Sequence, residues 1–216
     1  MNQNFYEVLR HLLHGEAPPA PPSLAPLDIQ KLLNYDSIKG QLFLVAVKKE
    51  LDEEQLKDIP NRDYLDLSII CKIHIPYDDN SIFSIPVSKA FLNIWEITEK
   101  KLFSQALINS LNATWWFKMS RGDSEMPIFC ISNEFMLEGA VAILLPQVFE
   151  GLIEEFQIQE TQLYIFAVSV HKLFVIPKTP DIDLKQLQNI ADGIPAALSN
   201  SIYLYDHITQ KAVIIN

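Results

Sequence analysis

The chain is poor in glycine, cysteine and basic side chains, and it contains no long apolar run. Its 216 residues hold 6 glycines against 13 prolines. That is little material for a phosphate-cradling loop, and neither G-x-G-x-x-G nor G-x-x-x-x-G-K-[ST] occurs. The two cysteines, Cys71 and Cys130, both lie in apolar runs. This argues against a disulfide framework or a cysteine-based zinc site and fits a reducing cytoplasm. With 17 basic residues against 27 acidic ones the formal charge is -10, which repels a phosphate backbone at long range, so no nucleic-acid partner is expected. Apolar runs such as "GAVAILLP" fall far short of the roughly 20 residues a membrane-crossing helix needs, so no membrane association is expected. The opening "MNQNFYEVLRHLLHG" carries Glu7 and Arg10 inside its apolar stretch and lacks a basic leader, so it does not read as a signal peptide. The expectation is a cytoplasmic protein with no cofactor.

What is present is a globular composition, 49% hydrophobic and 20% charged, enough for one domain with a sizeable core. Phe5, Val8, Leu9, Leu12 and Leu13 share one face of a helix over residues 1–15 that Gly15 can end. Residues 16–27 hold five prolines from Pro18 to Pro26 and read as an extended tether. A helix this short is marginal in water alone and needs its apolar face covered. Its own domain, a protein partner or a second copy could cover it, and Phe5, Leu9 and Leu12 are the candidate contact residues.

Residues 28–216 read as a single α+β domain: a hairpin-built, largely antiparallel sheet packed with three or four amphipathic helices. "QLFLVAVKK" predicts a buried strand. Leu67, Ile69, Cys71, Ile73 and Ile75 alternate with Ser68, Ile70, Lys72 and His74, and "PYDDNS" turns that strand into a hairpin with "IFSIPV". Thr98 predicts the cap of a helix with the stripe Leu102, Phe103, Ala106, Leu107 and Leu111. "MPIFCISN" and "GAVAILLP", separated by "EFMLE", read as another hairpin, with a buried helix start as the alternative for the second run. Val148, Phe149, Leu152, Ile153 and Phe156 form a covering helix. The run from Leu163 to Ile176 is too long for one strand and predicts a turn near Ser169. Asp183 caps a further helix, and "SIYLYDHITQKAVII" closes as a hairpin.

The segments "LKDIPNRDYLDLSIICKI", "FCISNEFMLEGAVAILLPQVFEGL", "LYIFAVSVHKLFVIP" and "LSNSIYLYDHIT", in that order and spacing, resemble a domain family of unknown function abundant in gut-dwelling anaerobic Gram-positive bacteria. The resemblance covers about Asn34 to Ile215 and implies a fold and a habitat but no reaction. Where that family tends to show Pro-Ser-Ser-Ile-His-Glu, this chain has Ala167 to Lys172, keeping His171 and replacing the acid that follows by lysine. The N-terminal helix and tether stand in place of the family's longer leading region.

The best polar constellation is Ser169 and His171 at the proposed turn, with Asp66, Asp63 and His74. A serine, a histidine and an acid could supply nucleophile, base and orienter if they converge, but no nucleophile-elbow glycines surround Ser169. His11 and His14 form the one close histidine pair and lack a third ligand, so no metal site is signalled. Trp115 and Trp116, being neighbours, would point to opposite faces of a strand, leaving one free as a contact anchor or both in the core. Two functions follow: a non-enzymatic protein-interaction module, or a small hydrolase or transferase using His171 with Ser169 or Asp66.

Overall fold

The computed structural model describes residues 29–49, 56–78, 81–119, 127–194 and 197–215. The proposed N-terminal helix and tether, with Phe5, Leu9 and Leu12, lie outside these residues. In chain order the elements are α1 (Ile29–Leu32), α2 (Tyr35–Ile38), β1 (Leu42–Lys48), β2 (Asn61–Tyr64), β3 (Leu67–Asp78), β4 (Ser81–Pro86), α3 (Lys89–Ile94), α4 (Glu99–Ala113), β5 (Thr114–Lys118) and β6 (Phe129–Asn133). A short 3-10 turn (Lys39–Gln41) leads into β1. A longer 3-10 segment (Gly139–Leu144), hereafter the 3-10 helix, with α5 (Pro146–Phe156), β7 (Gln162–Ser169), β8 (Lys172–Pro177), α6 (Leu184–Asp192), β9 (Ile202–Asp206) and β10 (Lys211–Ile215), completes the described fold, which is α+β.

The strands form two antiparallel sheets. In the first, β3 pairs with β1 along one side, Leu44 opposite Cys71, while β2 pairs with its first residues and β4 with its second half. The second runs β10-β9-β7-β8-β6-β5. The expected turn near Ser169 is the β7–β8 connection, and the final hairpin is β9–β10. Alternation along the strands splits each sheet into two faces. Leu44, Ala46, Ile69, Cys71 and Ile73 of the first sheet share one core with Ile131, Leu163, Ile165, Val175 and Tyr203 of the second, together with the 3-10 helix, α4 and α5. The opposite face of the second sheet, Tyr164, Phe166, Val168 and Ile202, packs on Leu187 and Ala191 of α6.

Helix α4 begins where Thr98 accepts a hydrogen bond from the Lys101 amide, and it buries Leu102, Phe103 and Ala106. Its stripe departs from the expected one: Leu107 is exposed, while Ser110 is buried. The cause is the edge of β1, whose outward backbone groups have no neighbouring strand among the described residues. Ser110 Oγ accepts from the Leu44 amide at 2.9 Å, and Asn109 Nδ2 donates to the Leu42 carbonyl at 2.8 Å. A polar side chain on the helix thus closes a sheet edge that a leucine could not.

The expected second strand of the "MPIFCISN"/"GAVAILLP" hairpin is instead the 3-10 helix. Asn133, ending β6, accepts from the Phe135 and Leu137 amides at 3.1 and 3.0 Å, and Nδ2 of the same side chain donates to the Leu137 carbonyl. Met136 and Glu138 then take left-handed conformations with φ of 53° and 60°, which turn the chain inward. Gly139 to Ile143 are all buried. A run buried on every side carries no periodicity, so pattern alone cannot separate strand from helix.

Candidate functional site

Polar side chains gather at three places inside this frame, and the residues singled out from the sequence are divided among them. The first is Glu138. It is 7% exposed, and its carboxylate is held by Lys72 Nζ, by His74 Nε2 at 2.7 Å and by Ser84 Oγ at 3.3 Å. Lys72 and His74 come from one face of β3, and Ser84 lies opposite His74 on β4. Burial works to raise the Glu138 pKa, but His74 and Lys72 outweigh it and hold the carboxyl below its usual range. Phe43 stacks on the His74 ring at 4.6 Å, and His74 Nδ1 is buried without a partner among the described residues.

His171 meets the same turn through the backbone. Its Nδ1 accepts from the Glu138 amide at 3.1 Å, and its carbonyl accepts from Ser132 Oγ at 2.8 Å and from the Gly139 amide at 3.1 Å. A Cβ on Gly139 would sit 2.5 Å from Ser132 Cα and 2.8 Å from the His171 carbonyl, so only glycine lets these strands close on the 3-10 helix. Ser169 Oγ accepts from the His171 amide at 3.2 Å, a local turn contact. The Nδ1 lone pair of His171 is therefore committed to a backbone N–H, and the Ser169 oxygen to the turn.

Asp66 lies at the second place. Leu65, with φ of 56°, turns the chain between β2 and β3. Asp66 Oδ2 then accepts from Ser199 Oγ at 2.5 Å and Ser201 Oγ at 2.9 Å, and Oδ1 from Tyr203 Oη at 2.7 Å. Burial pushes the Asp66 pKa up, yet the three hydroxyls overcome it and the net shift is downward; burial, with the carboxylate beside it, drives the Tyr203 phenol well up. This cluster ties the β2–β3 turn of the first sheet to β9 of the second. A third cluster joins Glu150 on α5 to Tyr205 Oη at 2.8 Å and His207 Nδ1 at 2.9 Å.

Ser169 and His171 thus meet only through a backbone amide. Asp66 directs its hydrogen bonds to β9, and His74 faces Glu138. Sequence reasoning did not single out Glu138, Lys72, Ser199 or Ser201, and it read Tyr203 and Tyr205 as sharing a strand face that forms part of a surface, whereas both are buried. The available signals were a charged residue abutting the apolar run after "EFMLE", and two serines flanking Asn200 ahead of the tyrosines. Among the described residues no group of three or more His, Cys, Asp or Glu side chains is placed to hold a metal ion. Nor is any described helix long and apolar enough to cross a membrane.

The two tryptophans part company on β5, the last strand of the second sheet. Trp116 donates Nε1–H to Glu155 at 2.9 Å, and a Cβ on Gly151 would meet its ring at 2.8 Å, so α5 presses on it. Trp115 stands on the other face, 36% exposed, stacked on Phe117 with ring centroids 5.1 Å apart.

No curated protein and no solved structure matches this sequence. A family model does match it, over residues 3–121 and 111–207, and its description is a family of unknown function (DUF5688). Those two spans cover most of the chain, which belongs to that family.

Proposed function

We propose that this protein is a non-enzymatic interaction module that receives a protein partner on strand β5. The supporting observation is the stacked pair Trp115–Phe117, one of whose rings is 36% exposed on a strand that ends the order of its sheet. An edge strand offers free backbone donors and acceptors to an added strand, and an exposed rigid tryptophan is the side chain most often found at the energetic centre of an interface. The N-terminal segment, whose sequence predicts a tethered amphipathic helix, is a second element offered to a partner, but the reading rests on β5. The polar clusters weigh on the same side. Ser169, His171 and Asp66 spend their hydrogen bonds on a turn, a backbone amide and three hydroxyls, which favours binding over a hydrolase or transferase built on them.

A photo-reactive phenylalanine analogue placed at Trp115 in the full chain tests this. In the native cell it should give a discrete crosslinked protein that the same analogue at exposed Leu107 on α4 does not. Equal or absent crosslinking at the two positions would refute the assignment to β5.

A further inference from the structure

Between the end of β1, the β2–β3 turn and the segment leading into β9 lies an open cavity of about 530 Å³, lined among others by Lys48, Asp66, Gln188, Leu198, Ser199 and Ser201. Its size is in the range that holds a small metabolite. We propose that it binds a free α-amino acid with an aliphatic side chain, as the zwitterion.

The charges that face the cavity sum to zero but are not joined to one another. Lys49, also in the lining, is neutralised by Asp63 at 2.8 Å. Asp66 keeps its negative charge, because Ser199, Ser201 and Tyr203 solvate the carboxylate without neutralising it. Lys48 stands opposite Leu67, the residue after Asp66, on the face of β1 turned toward the core between the sheets. Among the described residues it makes no ion pair, with Asp66 or with any other acid. The cavity thus offers one ammonium and one carboxylate that do not bond each other. A simple anion is drawn by the first and repelled by the second, and a simple cation the reverse. A ligand that carries both charges gains at each end.

Counting protons decides which kind of cationic end fits. Each serine hydroxyl has a single proton, and both Ser199 and Ser201 spend it on Asp66. Ser199 Oγ also accepts from the Ser201 amide at 2.9 Å. Ser201 Oγ, 2.9 Å from the Asp66 carboxylate, accepts from no described residue and keeps both lone pairs. Beside a negative charge, that oxygen calls for a positively charged N–H donor: a primary ammonium supplies one, and a quaternary ammonium has no proton to give. Leu198 is the apolar part of the lining and favours an aliphatic side chain on the ligand. The wall is braced by Gln188, whose Nε2 donates to the Asn200 carbonyl at 3.2 Å, which limits the ordering cost of binding. The site shares no residue with β5, so it stands or falls apart from the partner reading.

The test is a titration of the full chain at low salt with L-alanine, L-valine and L-leucine, followed by amide chemical shifts. At least one should saturate and move the amides of Lys48, Asn200 and Ser201. Three derivatives of that amino acid serve as controls: the N-acetyl form lacks the ammonium, the methyl ester lacks the carboxylate, and the N-trimethyl form has no ammonium proton. Each should bind about tenfold more weakly, the factor that one charge-assisted hydrogen bond supplies. Lys48→Gln should weaken the amino acid by about the same factor and leave the methyl ester unchanged, with the thermal transition in place because Lys48 is exposed. Saturation by none of the three up to about 5 mM, a derivative that binds as tightly as the amino acid, or a Lys48→Gln variant that loses no affinity would overturn the proposal.

Discussion

Replacing Asp66 by alanine removes a single side chain that accepts three hydroxyl hydrogen bonds and ties the two sheets together. A hydrogen bond to a charged group is worth about 1.5–3 kcal/mol, but the sum of three overstates the loss. Asp66 is only partly buried, and the freed Ser199 and Ser201 hydroxyls can turn to water. The Tyr203 phenol is fully buried in the parent, so its O–H donor, left without an acceptor, bears most of the penalty. We expect a loss of about 3 kcal/mol, which for a chain of this size lowers Tm by about 6–12 °C. Urea unfolding followed by tryptophan fluorescence should show the midpoint falling with the slope unchanged. Tyr203→Phe alone should cost less, and the double variant should cost clearly less than the sum of the singles, since both act on one contact. A loss under about 1 kcal/mol for Asp66→Ala, or strict additivity with Tyr203→Phe, would refute the idea that this carboxylate joins the sheets.

Two further predictions concern the turn between β6 and the 3-10 helix. Gly139→Ala places a methyl 2.5 Å from backbone atoms of Ser132, and because backbone cannot swing aside it should destabilise by about 3 kcal/mol, measured by the same urea titration. Glu138→Gln keeps the shape but removes the charge facing Lys72 and His74, for an expected loss of about 2–4 kcal/mol at neutral pH. The sign of its pH dependence follows from the lowered pKa of Glu138. Its stabilisation is full above the unfolded value near 4.3 and fades as pH falls through the lower folded value. The parent should therefore lose stability toward acid more steeply than the variant, and parallel pH profiles would contradict the assignment.

Much of the fold was legible where a local rule acts alone. The alternation from Leu67 to Ile75, the Thr98 cap, and the length of the Leu163–Ile176 run each dictated their element without help from the rest of the chain. The 3-10 helix was not legible, because Gly139–Ile143 are buried on all sides and their apparent strand pattern was only uniform hydrophobicity. Nor was the exchange of Leu107 for Ser110, which depends on the unpaired edge of β1. The polar clusters were hidden for a different reason. Asp66 and Ser199 are separated by 133 positions, and no sequence pattern announces which distant hydroxyls a carboxylate will collect. The four family-like segments contain most of these junction residues: Asp66, the Asn133–Gly139 turn, His171, and Ser199 to Tyr203. In this structure their contacts link strands and sheets.

The central claim, that the outer face of β5 serves binding and not stability, is tested most directly by the double variant Trp115→Ala, Phe117→Ala, measured for folding and for binding to the partner captured at Trp115. Trp115 is half-exposed, so the thermal transition should move by no more than a few degrees. The dissociation constant should rise about thirtyfold or more, as expected for losing a tryptophan at the centre of an interface. An unchanged dissociation constant would contradict the claim, and so would a collapse of the thermal transition, which would mean that the two rings are there to hold the sheet together.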